Sequence, residues 1–252
     1  VGAVSYIYYA DRLVQLPLSL IGTALSISIL PALSKVIQLK DNTEIDSIEN
    51  FSLFIALFIG LPACIGLFTL SDSIISVVYQ RGKFNVNDVI AVSRVLKIYS
   101  IALPLMILTK IFQTIFYANK DTKTPMIISF CSLCCNVIFN LIFIKIFGYI
   151  GITISSVVSY FLSVSLLLYF SRKLIHFNDF LKINLLKIVY GSIMMFLVLT
   201  FFNKFLLNDI FSKGLLSKIL LLGSAIGFSG LIYLGICFIT RAIDLKTIKK
   251  LF

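Results

Sequence analysis

The sequence predicts an all-α fold, a polytopic transmembrane helical bundle with seven membrane helices. Three observations lead there. The hydrophobic fraction is 59% and only 13% of the 252 residues are charged, with a mean hydropathy of +1.03; a soluble domain of this length could not hide that much apolar surface. Apolar segments of membrane length recur along the chain, separated by short polar stretches. Within those segments, the few polar residues fall at helical spacing.

A span needs about 20 apolar residues to cross about 30 Å of hydrocarbon. Seven segments approach this: 13–38, 50–70, 88–118, 124–147, 150–171, 185–203 and 216–240. In lipid each backbone group must be satisfied within its own helix, which favours short connections. Residues 39–49 are acidic and polar, and read as a loop extending from the membrane. Residues 71–84, opening with Ser71-Asp72-Ser73, read as a capped interfacial helix. The overlong third segment must tilt or project beyond the bilayer, with Pro104 available for a kink; Arg94 and Lys97 read as surface residues. In the last span Gly223 and Gly227, with Ser224 and Gly230, offer a small-residue face for close helix approach. From Arg241 onward a basic amphipathic tail follows.

The first span carries the most informative pattern. Arg12, Gln15, Ser19, Gly22, Thr23 and Ser26 fall on one helical face, against Leu, Ile and Val on the other. An Arg at a membrane helix centre costs roughly 2.5–3.5 kcal/mol on insertion scales, so this is a wet stripe headed by a guanidinium suited to phosphate. The alternative is an interfacial Arg that snorkels to headgroups. Pro17 sits within the stripe and predicts a kink. Asp11 is the acid adjoining the stripe, directly beside Arg12.

Asn136 and Asn140 share a face of the fourth span, and Thr153, Ser155 and Ser156 add hydroxyls from the fifth. Such oxygens suit Na⁺; the same residues also suit plain interhelical hydrogen bonding. Lys110 lies well inside the third span, where an ammonium needs a water-filled cavity or a snorkelling route. Cys131-x-x-Cys134 has neither a second pair nor a nearby His, so no metal site is expected. Without a Ser–His–Asp grouping, paired carboxylates at membrane depth or a phosphate-cradling Gly loop, the chain reads as a non-enzyme. The net charge of +11 fits cations flanking spans, not a nucleic-acid module.

Basic residues distribute as twelve on the side of the C-terminus and seven on the other, with Arg94, Lys97 and Lys110 inside the long third segment. The positive-inside rule then places the C-terminus in the cytoplasm and the start of the first span outside. The chain starts at Val1, not Met, and no cleavable signal pattern precedes the first span; it reads as part of a longer protein.

The blocks Tyr8-Tyr9-Ala10-Asp11-Arg12-Leu13 with Leu16-Pro17, Leu30-Pro31-Ala32-Leu33-Ser34-Lys35, Gln80-Arg81-Gly82-Lys83-Phe84, and Phe116-Tyr117-Ala118 with Asp121-Thr122-Lys123-Thr124-Pro125 closely resemble the MurJ (MviN) family of bacterial lipid II flippases. Helix count and loop placement agree over the whole chain, while the sharp motifs lie in its first half. The resemblance implies the second lobe of a two-lobed MOP-superfamily transporter over residues 1–174 (five spans), then two additional C-terminal helices and the basic tail over 175–252. It also implies a missing N-terminal lobe of the same protein. The implied activity is flipping of lipid II (the undecaprenyl-pyrophosphate-linked disaccharide peptide of peptidoglycan biosynthesis) by alternating access. On that reading Arg12 meets the pyrophosphate, Ser5, Gln15 and Asp11 line the same cavity, and Lys110, matched by Lys in some members, lies on the substrate path. The last two helices would flank a groove for the lipid tail. Asn136, Asn140 and Ser156 stand as a candidate cation site, with Na⁺ or membrane-potential coupling and no organic cofactor. Many members have Glu where this chain has Gln15. The partners implied are lipid II and membrane lipids, with no nucleic acid. The rival readings are a multidrug, cation or polysaccharide-lipid exporter of the same superfamily, and a non-transporting fragment of a split gene.

Overall fold

The computed structural model describes residues 2–172, 174–205 and 214–242; the basic tail expected beyond Ala242 lies outside them. The described residues form α1 (Ala3–Pro17), a π-helical segment (Leu18–Thr23), α2 (Ala24–Leu39), α3 (Asn42–Thr69), α4 (Ser71–Tyr79), α5 (Val86–Ala118), α6 (Lys123–Phe147), α7 (Tyr149–Ser171), α8 (Asp179–Phe205) and α9 (Leu215–Ile239). Seven helices are long and apolar enough to cross a membrane: α1 through α2 as one unit, α3, α5, α6, α7, α8 and α9. Each coincides with a segment read from the sequence, extended by several residues where a polar turn of helix projects beyond the apolar run.

α5 is the axis of the bundle, packed by α1, the π segment, α2, α3, α4 and α7. At 33 residues it rises about 50 Å, well past the hydrocarbon thickness. Its start is fixed by a capping box: Asn85 Oδ1 accepts from the Asn87 and Asp88 N–H groups, and Asp88 accepts from the Asn85 N–H at 3.0 Å. Asp88 also accepts from the Tyr6 hydroxyl at 3.0 Å, tying α1 to this end. Two sequence motifs meet nearby. The ring of Tyr9 lies 4.9 Å from Tyr79 and 5.6 Å, edge-on, from Phe84, so the Tyr8-Tyr9 and Gln80–Phe84 blocks are one aromatic cluster in space.

Three expectations are corrected. The stretch 39–49 is not a projecting loop. Asp41 Oδ1 accepts from the Thr43 and Glu44 N–H groups at 3.1 Å each and from the Thr43 hydroxyl at 2.7 Å, starting α3 at Asn42. These bonds, the Thr43 hydroxyl foremost, hold the Asp41 carboxyl below the usual carboxylate range. Glu49 is fully buried, with neither oxygen hydrogen-bonded among the described residues.

The segment 71–84 is helical only to Tyr79. It has no side-chain cap at its start, and it buries Ser71, Ser73, Ile75 and Ser76 instead of lying free on a surface. α9 accounts for one of the buried serines: Lys218, 6% exposed, donates to Ser76 Oγ at 2.9 Å and to Gln80 Oε1 at 2.8 Å, while the Ser71 and Ser73 hydroxyls have no partner among the described residues. At its other edge Asp72 pairs with Lys97 at 2.7 Å, so Lys97 is held by α4.

Among the described residues the small-residue face of α9 does not mediate close packing. A Cβ at Gly223, Gly227 or Gly230 would meet nothing within 4 Å, whereas one at Gly191 of α8 would lie 3.3 Å from the Tyr233 ring. α9 turns Ala225, Ser229, Tyr233 and Cys237 inward, and the Tyr233 hydroxyl donates to the Phe58 carbonyl of α3 at 2.7 Å.

Candidate functional site

α1 buries Ala10, Leu13 and Val14 against α5, which turns Arg12, Gln15 and Ser19 outward, all exposed. Ser5 is exposed too, and Asp11 is half-buried. The Arg12 guanidinium lies 4.7 Å from the centre of the Tyr8 ring and donates through Nη2 to the Tyr8 hydroxyl at 2.8 Å. Of its five N–H donors this engages one, leaving the rest of the fork without a protein acceptor among the described residues. Asp11 does not pair with Arg12; its carboxylate accepts from the Gln15 amide. An ionised Glu at position 15 would have no donor for Asp11 and would repel it, so the amide suits this neighbour.

The polar stripe does not continue straight beyond Ser19. Pro17 lacks the N–H that would bond to Leu13, and the next turn opens into the π segment. The altered phase turns Gly22 and Thr23 toward α5. Thr23 Oγ1 accepts from Lys110 Nζ at 2.7 Å. The Lys110 stem crosses Gly22 so closely that a Cβ there would lie 3.2 Å from Lys110 Cδ. Along the helix, Thr23 lies about 16 Å from Arg12. Two cations therefore lie at two depths along the first span, its own Arg12, exposed, and Lys110 of α5, half-buried.

Lys110 opens on a cavity of about 470 Å³ enclosed by α5, α6 and α7, with Leu18 of the π segment as its remaining wall. Its lining is rich in hydroxyls and amides: Thr109 and Gln113 from α5, Ser129, Ser132 and Asn136 from α6, and Ser156, Ser159, Tyr160 and Ser163 from α7. Gln113 donates to Ser129 at 3.2 Å, and Ser132 to the Ser159 carbonyl at 2.8 Å. Asn136 and Asn140 come together as their spacing suggests: Asn140 Nδ2 donates to Asn136 Oδ1 at 2.9 Å. Asn136 Nδ2 reaches Ser156 Oγ at 3.5 Å, and Ser155 donates to Asn140. Both amide oxygens thus already accept a hydrogen bond. Asn136 and Ser156 share the cavity wall with Lys110, a convergence that spacing within single helices does not reveal. Cys131 and Cys134 face outward from α6.

The motif Asp121–Pro125 serves the fold. Asp121 Oδ1 accepts from the Thr124 N–H at 3.0 Å at the start of α6, and its bonds to Thr124 hold its carboxyl below the usual range.

Among the described residues, seven membrane-length helices, three of which line a hydroxyl-rich cavity beside Lys110, define a polytopic α-helical membrane protein with a polar interior. The family model described as lipid II flippase MurJ matches residues 1–221. The probable lipid II flippase MurJ of Rickettsia prowazekii (strain Madrid E) is 33% identical over 251 residues, covering 99% of this chain and 50% of that protein. That of Buchnera aphidicola subsp. Baizongia pistaciae (strain Bp) is 36% identical over 227 residues, covering 87% and 43%. A solved structure of lipid II flippase MurJ in an inward closed conformation superposes with a TM-score of 0.71 at 29% identity, over 92% of this chain and 47% of that one. The chain belongs to the MurJ lipid II flippase family. It spans about half the length of the relatives it matches.

Proposed function

We propose that this chain supplies the second lobe and the two C-terminal helices of a flippase that moves lipid II between the leaflets of the bacterial inner membrane by alternating access. Residues 1–174 form the lobe and 175–252 the added helices, and a further lobe of the same protein faces α1. The observation that carries this reading is the Arg12 guanidinium. It is exposed on a membrane helix, steadied by Tyr8, with most of its fork unengaged. A diphosphate leaving water needs charge-assisted, bidentate donors of that kind. Ser5, Gln15 and Asp11 line the same face, and Lys110 of α5 offers a second cation beside Thr23.

The test is growth on depletion of the native flippase. The full-length protein is expected to sustain growth, and residues 1–252 alone are not, because Arg12 would then confront lipid without a facing lobe. Rescue by residues 1–252 alone would overturn the two-lobe reading.

Orientation follows from the basic-residue bias, with the turn at Lys40–Asp41 and the C-terminus cytoplasmic. With the five native cysteines replaced, Cys at Asn87 is expected to react with an impermeant reagent added outside, and Cys at Asn42 to be protected. The reverse pattern would invert the topology.

Asn136, Asn140 and Ser156 are read as a monovalent-cation site coupled to transport, supported by the cavity wall that Asn136 and Ser156 share with Lys110 and by the bond from Asn140 to Asn136. Since both amide oxygens already accept hydrogen bonds, an ion would use their second lone pairs. Replacing both Asn136 and Asn140 with Leu is expected to remove any Na⁺ dependence of transport at unchanged membrane abundance. Unaltered Na⁺ dependence in the double variant would leave the pair as an interhelical hydrogen bond alone.

A further inference from the structure

A second cleft, of about 330 Å³, lies between α2 and α3, apart from the cavity that holds Lys110. Leu25, Ile29 and Val36 form one wall, and Ile48, Phe51 and Ile55 the other. The two hydroxyls in it are turned back on their own helices: Ser28 donates to the Leu25 carbonyl at 3.0 Å and Ser52 to the Ile48 carbonyl at 2.5 Å. Its interior therefore presents no free donor, which suits a hydrocarbon occupant.

The two ends of the cleft differ. Near the Lys40–Asp41 turn its mouth carries Lys35 and Glu44, both exposed. Among the described residues neither forms an ion pair, although they line the same opening. From that mouth to Leu25 on α2 and Ile55 on α3 is about 15–17 Å of helix rise. Half of a hydrocarbon core about 30 Å thick is about 15 Å. The cleft thus spans one leaflet, with a positive and a negative charge at the headgroup level and an apolar trough below.

We propose that this cleft holds one acyl chain of a phosphatidylethanolamine molecule, whose phosphate meets Lys35 and whose ammonium meets Glu44. A headgroup carrying both charges satisfies both side chains. An anionic phospholipid or a polyprenyl pyrophosphate would also bring its phosphate to Lys35, but it has no ammonium for Glu44, whose charge would repel it. The cleft shares no lining residue with the Lys110 cavity, and its test does not depend on transport.

The experiment uses the full-length protein in liposomes containing phosphatidylethanolamine with a photoactivatable diazirine on its acyl chain; cross-linked peptides are mapped by mass spectrometry. Label is expected to concentrate on Leu25–Val36 and Ile48–Ile55. Lys35→Glu or Glu44→Lys alone is expected to lower that labelling about fivefold, by the order of one headgroup charge contact. The double exchange Lys35→Glu with Glu44→Lys is expected to restore it, because the opposite charges are retained. Ala32→Trp, which fills the cleft from α2, is expected to remove labelling whatever the headgroup. Size-exclusion behaviour identifies any variant that fails to fold, and the remaining ones still decide the question. Equal labelling of the cleft by diazirine phosphatidylglycerol would overturn the assignment, as would preferential labelling by a diazirine polyprenyl pyrophosphate. So would labelling that ignores both the charge exchange and Ala32→Trp.

Discussion

Arg12→Ala in the full-length protein is expected to abolish support of growth, while Arg12→Lys leaves a partial defect. The reason lies in what the guanidinium does and does not touch. It rests against the Tyr8 ring and gives that hydroxyl one hydrogen bond, so its direction is set while most of its fork stays available. A hydrogen bond to a charged group contributes about 1.5–3 kcal/mol. Loss of a bidentate pair then weakens diphosphate binding by about 10²- to 10⁴-fold. Lys keeps the charge but loses the planar fork. Membrane abundance is expected to hold in both variants, since removing a charge eases insertion and the exposed Arg12 holds no other helix in place. Complementation measured alongside membrane abundance checks this. Normal growth on Arg12→Ala at ordinary expression would reduce Arg12 to an interfacial anchor.

The membrane spans are legible because lipid imposes a length and a composition that few residues escape. The bundle's seven long helices follow from hydropathy, and their excess length comes from caps such as Asp41 and Asn85, whose signals are local. The outward position of Arg12 and Gln15 is legible for the same reason: Ala10, Leu13 and Val14 mark the opposite face at helical spacing. What lies beyond Ser19 is not. One proline changes the turn type, and a phase shift of part of a turn moves Gly22 and Thr23 onto Lys110, 87 residues away in the chain. Lys218 illustrates the same gap. In sequence it is one more flanking cation, and only the packing of α9 on α4 gives it Ser76 and Gln80 as partners. Hydrophobicity carries no information about which polar group in one span meets which in another. The i to i+4 pair Asn136 and Asn140 is within reach because it lies on one helix; the place of Asn136 on the wall of the Lys110 cavity is not.

The second large effect is expected at Gly151. α6 and α7 reverse direction through Gly148 alone, which adopts φ +59°, so the last turn of α6 lies against the first turn of α7. A Cβ at Gly151 would sit 2.3 Å from the Phe143 carbonyl oxygen, 2.4 Å from its carbonyl carbon and 2.9 Å from the Ile144 nitrogen. All three are backbone atoms of α6, so no side chain can move aside. Overpacking costs about 1–3 kcal/mol where side chains can adjust. Here the helices themselves must part, and Gly151→Ala is expected at the top of that range, with Gly151→Val beyond it. Separation would also break the bonds from Ser155 to Asn140 and from Asn136 to Ser156, so any cation effect at those residues should fall together with stability. Gly223→Ala and Gly227→Ala supply the control: they belong to the more conspicuous small-residue motif, yet a Cβ at either meets nothing within 4 Å. Thermal unfolding of the detergent-solubilised full-length protein is expected to show a clear drop in Tm for both Gly151 variants and almost none for the two controls. Equal Tm values across all four would mean that α6 and α7 do not approach as closely as Gly151 permits.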